Sequence, residues 1–321
     1  DAVSAEGAPL LVLAAEVGVG IALALLQAGA DPNKADLDGR YPLEVAVGRS
    51  DVQLAEDILT RGGHPTKRQD PAGNTVLHTA VALCNDYLIR LLVRHKADLS
   101  IQNAEGATPL LLASSTGQEA AVQLLLHSGA GLHIVDNSNR SALELALQGK
   151  HMSCLKMLLE QSCVDVNGIT KRGSSLLHLA AEIGDDERVG FLLAMQAQPD
   201  VINPNGETPL HWACSLGHLN AVRCLVQHGA DPLLHERVQG LTPLHAACSK
   251  SGQPAVLALL IQQCEFRQWG GQPYKCNLFD LHRNTPLHTC MKLAPAAAKY
   301  VPILIEHGSN PNLQNLQGQT A

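Results

Sequence analysis

The chain has 321 residues, and its hydrophobic content of 45% is enough for a continuous folded core, which argues against disorder. Its formal net charge of −7 argues against a nucleic-acid partner, because phosphate contacts need a basic stripe. No apolar run is long enough to span a membrane and no signal peptide opens the chain, so we expect no direct membrane insertion. The nine cysteines include no C-x-x-C pair, which is typical of reduced thiols and predicts a cytoplasmic, intracellular protein.

A single motif recurs along the chain at a nearly constant period. Thr208-Pro209-Leu210-His211 appears again at 242–245 and at 285–288. Alignment on its first residue places motif starts near residues 8, 41, 75, 108, 141, 175, 208, 242, 285 and 320. The spacing is 33 or 34 residues up to residue 242, and then 43 and 35 residues. Such a period predicts one array of stacked supersecondary units over residues 1–321.

The unit that begins at Thr208 predicts two short helices and a turn. Thr208 is a good N-cap, Pro209 suits the first helical position, and Gly217 ends the first helix. Gly229 suits a left-handed cap that closes the second helix, and 203–206 reads as a tight turn between units. The second helix carries an apolar stripe suited to packing on the first: Ala221, Val222, Leu225 and Val226.

These features resemble the ankyrin repeat. The resemblance rests on T-P-L-H, the apolar-Ala pair after it, the Gly-His at 217–218 and Gly229-Ala230-Asp231. It covers nine full repeats and the start of a tenth. It implies an all-α solenoid of stacked helix-turn-helix units with β-hairpin loops, and a protein-interaction scaffold or adaptor that binds a partner protein on its concave face and loops.

The motif histidine is interpreted as part of the scaffold. It is present in five repeats but is replaced by leucine or glutamate in four others, which neither a catalytic nor a metal-binding role would survive. The resemblance implies that it hydrogen-bonds neighbouring loops together. The five histidines are His78, His178, His211, His245 and His288, and the replacements are Leu11, Glu44, Leu111 and Glu144.

The interpretation of these motifs as metal-binding or catalytic sites is weaker than their interpretation as parts of the repeat. His211, Cys214, Cys224 and His228 have zinc-compatible spacing, but the repeat pattern accounts for each of them. The stretch 36–39 resembles the start of a calcium loop but lacks the later carboxylates. No serine-hydrolase, metalloprotease or phosphate-loop motif occurs. We therefore expect no enzyme, no cofactor and no metal site.

The 43-residue spacing marks an insert at about 266–279 that is rich in aromatic residues. Repeat proteins often use such loops for binding, and aromatic and arginine side chains dominate binding hot spots. Two roles remain open, a binding loop or a small satellite core. Residues 261–321 hold 3 acids and 5 bases, so an acidic or amphipathic partner segment would suit this end. The candidate residues are Phe266, Arg267, Trp269, Tyr274, Lys275 and Phe279.

Family resemblance implies further partner contacts at the hairpin tips and at the ends of the first helices. Two alternatives stay open: the array is the targeting module of a larger membrane-trafficking protein (endosomal, small-GTPase-binding) or of an enzyme with its catalytic part elsewhere, or it is a mechanical or autoinhibitory spacer. Neither the partner nor the oligomeric state follows from the sequence. The contact positions are Pro204, Asn205, Glu207, Ser215, Leu216, Ser249, Lys250, Lys292 and Leu293.

Overall fold

The computed structural model describes residues 10–65, 70, 72–161, 164–249, 253–266, 275–292 and 296–321. Within these ranges, the side chains of 264–266, 275 and 296 are not described. The chain divides into two compact units, Asp1–Ser162 and Cys163–Ala321. We call them unit 1 and unit 2 and describe each by itself.

The described part of unit 1 is built from helix pairs. First helices contact first helices of the next pair, and second helices contact second helices, so each pair covers the apolar face of its neighbour. The helices in chain order are α1 (Leu10–Val17), α2 (Val19–Gln27), α3 (Pro42–Gly48), α4 (Val52–Thr60), α5 (Val76–Ala82), α6 (Asp86–Arg94), α7 (Pro109–Thr116), α8 (Glu119–His127), α9 (Ala142–Gln148) and α10 (Met152–Leu159).

Unit 2 repeats this arrangement in its described residues. First helices α11, α13, α15 and α17 form one stack, and second helices α12, α14, α16 and α18 form the other. Short 3-10 turns lie at Lys275–Asn277 and Ala296–Lys299. The helices are α11 (Leu176–Ile183), α12 (Asp186–Ala194), α13 (Pro209–Leu216), α14 (Leu219–Gln227), α15 (Pro243–Ala247), α16 (Pro254–Phe266), α17 (Pro286–Met291) and α18 (Val301–Glu306).

The boundaries of the unit that begins at Thr208 are those predicted. Helix α13 starts at Pro209 with Thr208 as its N-cap, and Gly217 ends it in the left-handed conformation at φ 77°. Gly229, just after α14, also has a positive φ. The predicted stripe of α14 is buried, and Leu225 is fully inaccessible to solvent. Helix-pair packing therefore follows directly from the sequence pattern.

The loops between successive helix pairs are narrow fingers, each closed by a backbone hydrogen bond across its turn. In the finger before α13, the Asn203 amide donates to the Glu207 carbonyl at 3.0 Å. The fingers before α15 and α17 close in the same way, through Glu236 to Leu241 at 2.9 Å and Asp280 to Asn284 at 2.9 Å. No strand element occurs among the residues described, so the hairpin loops are turns rather than extended ladders.

Candidate protein-interaction surface

Buried histidines attach five of the fingers to the helix pairs that precede them. In all five motif histidines, Nε2 bonds a carbonyl in the next finger: Ala107 for His78, Glu207 for His178, Leu241 for His211, Asn284 for His245 and Gln319 for His288, at 2.9–3.1 Å. The predicted scaffold role is confirmed by these bonds. They fix where the finger residues lie.

The protonation of these rings follows from their partners. Nδ1 of His211 faces the backbone N–H of Thr208 at 3.1 Å and must accept, so the ring proton lies on Nε2 and is donated to Leu241. Burial lowers the pKa of His211 and of His178, because it penalises the charged ring. The same cause lowers the pKa of His245 to about 4. These groups are neutral structural rings.

Two glutamates replace the histidine and keep only half of its role. Glu144 accepts the Ser141 backbone N–H at 2.8 Å, which caps α9 as the histidine would. Glu44 accepts from the Tyr41 N–H at 3.4 Å at the start of α3. A carboxylate has no proton for a further carbonyl, and burial raises the pKa of Glu44. Capping therefore survives in these repeats without the histidine's donated bond.

The finger before α13 displays the residues predicted for repeat 7. Pro204 and Asn205 are exposed at its tip, and Glu207 is half-buried at its base. The Glu207 carboxylate accepts the Asn203 side-chain amide at 2.7 Å and the indole N–H of Trp212 at 2.9 Å. The finger and the first helix are thus joined through one carboxylate.

Trp212 is the site residue that sequence reasoning missed. It is partly exposed on α13, and its ring meets the ring of His178 edge-on, with centroids 5.2 Å apart. The signal was present, because the chain holds only two tryptophans and this one lies beside the quoted motif. Glu207 and His178 thus hold the Trp212 side chain in one orientation at the surface.

The end of α13 completes this surface. Leu216 is 39% exposed, and Ile183, at the matching place on α11, is 38% exposed. The Ser215 hydroxyl donates to the Trp212 carbonyl at 2.9 Å, while the Ser249 hydroxyl donates to the Ser215 carbonyl at 2.7 Å. The Ser249 hydroxyl therefore links two successive repeats. We call Pro204, Asn205, Glu207, Trp212, Ser215 and Leu216 the repeat-7 surface.

A second group of predicted residues lies near the last fingers. Lys292 is exposed and lines a groove of about 280 Å³ beside the fingers before α17 and at 315–319. Phe279 is half-buried, and the guanidinium of Arg283 lies 5.1 Å from its ring centre. Phe279 thus contacts an arginine of the finger before α17.

The remaining predicted positions lie outside the described residues. These are Arg267, Trp269 and Tyr274 of the insert, with Lys250 and Leu293 and the side chains of Phe266 and Lys275. Whether the insert is a binding loop or a satellite core stays a prediction.

The zinc-compatible side chains are occupied by other contacts. Both ring nitrogens of His211 bond protein groups, and Cys214 is fully buried. The ring of His228 is exposed, and its Nδ1 bonds the Cys224 carbonyl of the same helix at 2.8 Å. Within the described ranges, no group of three or more His, Cys, Asp or Glu side chains is arranged to hold a metal ion.

Among the described helices, none is both long and apolar enough to cross a membrane. The longest, α16, has 13 residues, well short of the roughly 20 that a span needs.

Stacked helix pairs, histidine-linked fingers and left-handed caps define a helical-repeat fold. The family model described as "Ankyrin repeats (3 copies)" matches residues 11–102, 43–136, 81–170 and 177–269. The chain belongs to the ankyrin-repeat family, whose domains are protein–protein interaction modules.

Solved structures agree with this assignment. The ankyrin repeat domain of Bcl-3, a member of the IkappaB protein family, superposes with a TM-score of 0.63 and 26% identity, covering 69% of this chain and 98% of that domain. The human ASB11 ankyrin repeat domain superposes with a TM-score of 0.57 and 23% identity over 70% of this chain and 98% of that domain, a likeness of fold.

Curated relatives share part of their length with the chain. The chicken (Gallus gallus) nuclear factor NF-kappa-B p105 subunit is 30% identical over 50% of this chain and 17% of its own length. The mouse (Mus musculus) B-cell lymphoma 3 protein homolog is 33% identical over 51% and 38%. Human (Homo sapiens) Rabankyrin-5 is 31% identical over 57% and 15%. The chain thus spans well under half the length of each.

Proposed function

We propose that the chain is a non-catalytic scaffold that binds a partner protein through the repeat-7 surface. The observation that supports this most is Trp212, a partly exposed indole fixed by Glu207 on one side and by the His178 ring on the other. A rigid aromatic loses little conformational entropy on binding, and tryptophan is enriched among hot-spot residues. The neighbouring exposed Leu216 extends the apolar contact.

The surface suits a partner with an apolar anchor residue and polar groups around it. The indole face and Leu216 would cover the anchor, while Asn205 and the remaining acceptor capacity of Glu207 would meet donors at the rim. An intracellular setting is part of the proposal and is supported by the free thiols of the described cysteines, such as Cys154 and Cys214.

The test compares affinities for a partner isolated from cells with the full chain. We expect Trp212→Ala and Leu216→Ser each to weaken binding at least tenfold, with Leu216→Ser leaving the fold intact because its side chain is already exposed. Arg223→Ala, on the exposed face of α14, is the matched control and should bind like the wild type. Unchanged affinity in both surface variants would refute the proposal.

A second candidate is supported by particular matches. Human and mouse Rabankyrin-5 favour a targeting module within a larger membrane-trafficking protein. The palmitoyltransferase AKR1 of Lachancea kluyveri, 28% identical over 60% of this chain, favours a module within an enzyme whose chemistry lies in another part. Binding of purified small GTPases, loaded with GTP or GDP, tests the first of these directly.

A further inference from the structure

Three successive fingers of unit 2 carry an exposed aliphatic residue in the turn, at the second residue of 280–284 and of 315–319 and at the third residue of 236–241, which is one residue longer. Val238, Leu281 and Leu316 are 63%, 62% and 64% exposed. Isolated exposed leucines are ordinary on protein surfaces, whereas exposed aliphatic residues on three adjacent fingers offer a partner more than one apolar contact. We call these three residues the fingertip ridge.

Hydrogen bonds between fingers hold the ridge in register. The Leu281 amide donates to the Gln239 carbonyl at 2.8 Å, and the Leu316 amide donates to the His282 carbonyl at 3.0 Å. The Leu281 side chain also lies across Gly240, where a Cβ would come within 2.9 Å of Leu281 Cγ. The three tips are therefore fixed relative to one another before any partner arrives, which lowers the entropic cost of binding.

The carboxylates of these fingers are used internally. Glu236 accepts three backbone N–H groups, from Val238, Gln239 and Leu241, at 2.6–3.0 Å. Burial acts to raise the pKa of Glu236, but these bonds outweigh it and hold the pKa below its ordinary value. Asp280 likewise accepts from the His282 and Asn284 amides and from the Asn284 side chain, at 2.7–2.9 Å.

The exposed charged residues of these fingers are positive. They are Arg237 and Arg283, which lie beside the tips. The adjoining groove of about 280 Å³ contains exposed Lys292, and its one carboxylate is the internally bonded Asp280. An aliphatic ridge with cations beside it complements carboxylates placed next to aliphatic side chains.

We propose that the fingertip ridge and its groove dock an extended peptide segment in which aliphatic residues alternate with aspartate or glutamate. The proposal rests on the interaction role proposed above, but it concerns a second surface and a stated partner chemistry. The aliphatic side chains pack on Val238, Leu281 and Leu316. The carboxylates face Arg237, Arg283 and Lys292.

Unit 1 offers a matched control for this surface. Leu37 occupies the place of Leu281 in the finger before α3 and is 75% exposed. Its neighbour is Asp38, whose side chain is 80% exposed and lies 3.7 Å from the Arg40 guanidinium, so an aspartate stands here in place of the exposed cation of the ridge. Leu37→Ser therefore removes an equally exposed fingertip leucine without touching the proposed site.

The experiment selects binders from a random-peptide display library on the purified full chain and measures their affinities. We expect the selected peptides to be enriched in acidic and aliphatic residues. Leu281→Ser and the charge reversal Lys292→Glu should each weaken them at least tenfold, and raised salt should weaken them further. Leu37→Ser should leave the affinity unchanged.

Selected peptides without acidic enrichment, or binding that Leu281→Ser and Lys292→Glu leave intact, would overturn the proposal. The Trp212→Ala variant separates the two surfaces. Peptides whose affinity depends on Trp212 and not on Leu281 would contradict the fingertip ridge while agreeing with the repeat-7 surface. Peptides whose affinity depends on Leu281 and not on Trp212 would support the fingertip ridge as a separate surface.

Discussion

Individual buried histidines connect capping, packing and finger position in this chain. His211 caps α13 through Nδ1 and bonds the next finger through Nε2, with only 3% of the residue exposed. Removing such a ring leaves a buried backbone donor without its acceptor, and such a group costs about 1–3 kcal/mol.

His211→Ala should therefore lower the free energy of unfolding of the protein by about 1–3 kcal/mol, because the Thr208 N–H loses its acceptor, while the Leu241 carbonyl keeps its bond from the Glu236 amide. Urea unfolding followed by circular dichroism measures this. The control is His228→Ala, whose exposed ring bonds only its own helix and which should change stability by less than about 0.5 kcal/mol. Equal effects of the two variants would contradict the assigned role.

The neutral histidines also predict a pH dependence. Burial lowers the pKa of His245 to about 4, while an unfolded histidine titrates near its model value of 6.5. Below pH 6.5 the unfolded chain binds a proton at His245 that the folded chain does not bind. The contribution of His245 to the free energy of unfolding is therefore fully present above pH 6.5 and is lost as the pH falls to about 4. At about 1.4 kcal/mol per pH unit, this one residue accounts for a loss on the order of 3 kcal/mol.

Urea midpoints between pH 7 and pH 4 check this dependence against His245→Asn. The wild type should lose stability more steeply than the variant over that range, because the asparagine has no proton to bind. Parallel pH profiles for the two proteins would show that His245 is not the titrating group.

At the scale of the helices, the sequence pattern predicted the boundaries, whereas contacts between repeats could not be predicted from it. Pro209 and Gly217 bound α13 as expected, because proline and glycine act through local backbone geometry. Trp212 was missed because its importance depends on Glu207 from the finger and His178 from the preceding helix pair. The Ser249 hydroxyl bonds the Ser215 carbonyl of the preceding repeat, a contact that no local pattern encodes, and the partner contact expected at Ser249 stays a prediction.

Contacts between neighbouring repeats make the substitution of one glycine more destabilising than the substitution of another. Gly184 ends α11 at φ 80°, and a Cβ there would collide with the ring of His218, whose Nε2 bonds the Glu182 carbonyl at 2.9 Å. Gly184→Ala should cost the left-handed penalty of roughly 1–2 kcal/mol plus about 1–3 kcal/mol for the collision. Thermal or urea unfolding measures the sum.

Gly229→Ala is the matched control for this change. Gly229 has φ 103°, and a Cβ there would meet nothing within 4 Å, so only the backbone cost applies. If Gly229→Ala were as damaging as Gly184→Ala, the close packing of His218 on Gly184 would be wrong.

Over the whole molecule, the residues that build the repeated architecture differ from those that build the proposed binding surfaces. Family matches cover residues in both units, and the same finger closure and histidine bonds occur in each. The surfaces we propose for binding lie in unit 2, where an aromatic anchor and an aliphatic fingertip ridge are built from side chains outside the T-P-L-H motif. The scaffold is common to the family, and we propose that these added groups select the partner.

Hydrogen–deuterium exchange of the protein, free and bound to its isolated partner, tests the central claim most directly. The account predicts slower exchange on binding in 203–207 and 212–216, which form the repeat-7 surface, and unchanged exchange at the exposed face of α14, 219–227. Protection confined to 219–227, with none in the finger or at the end of α13, would contradict it.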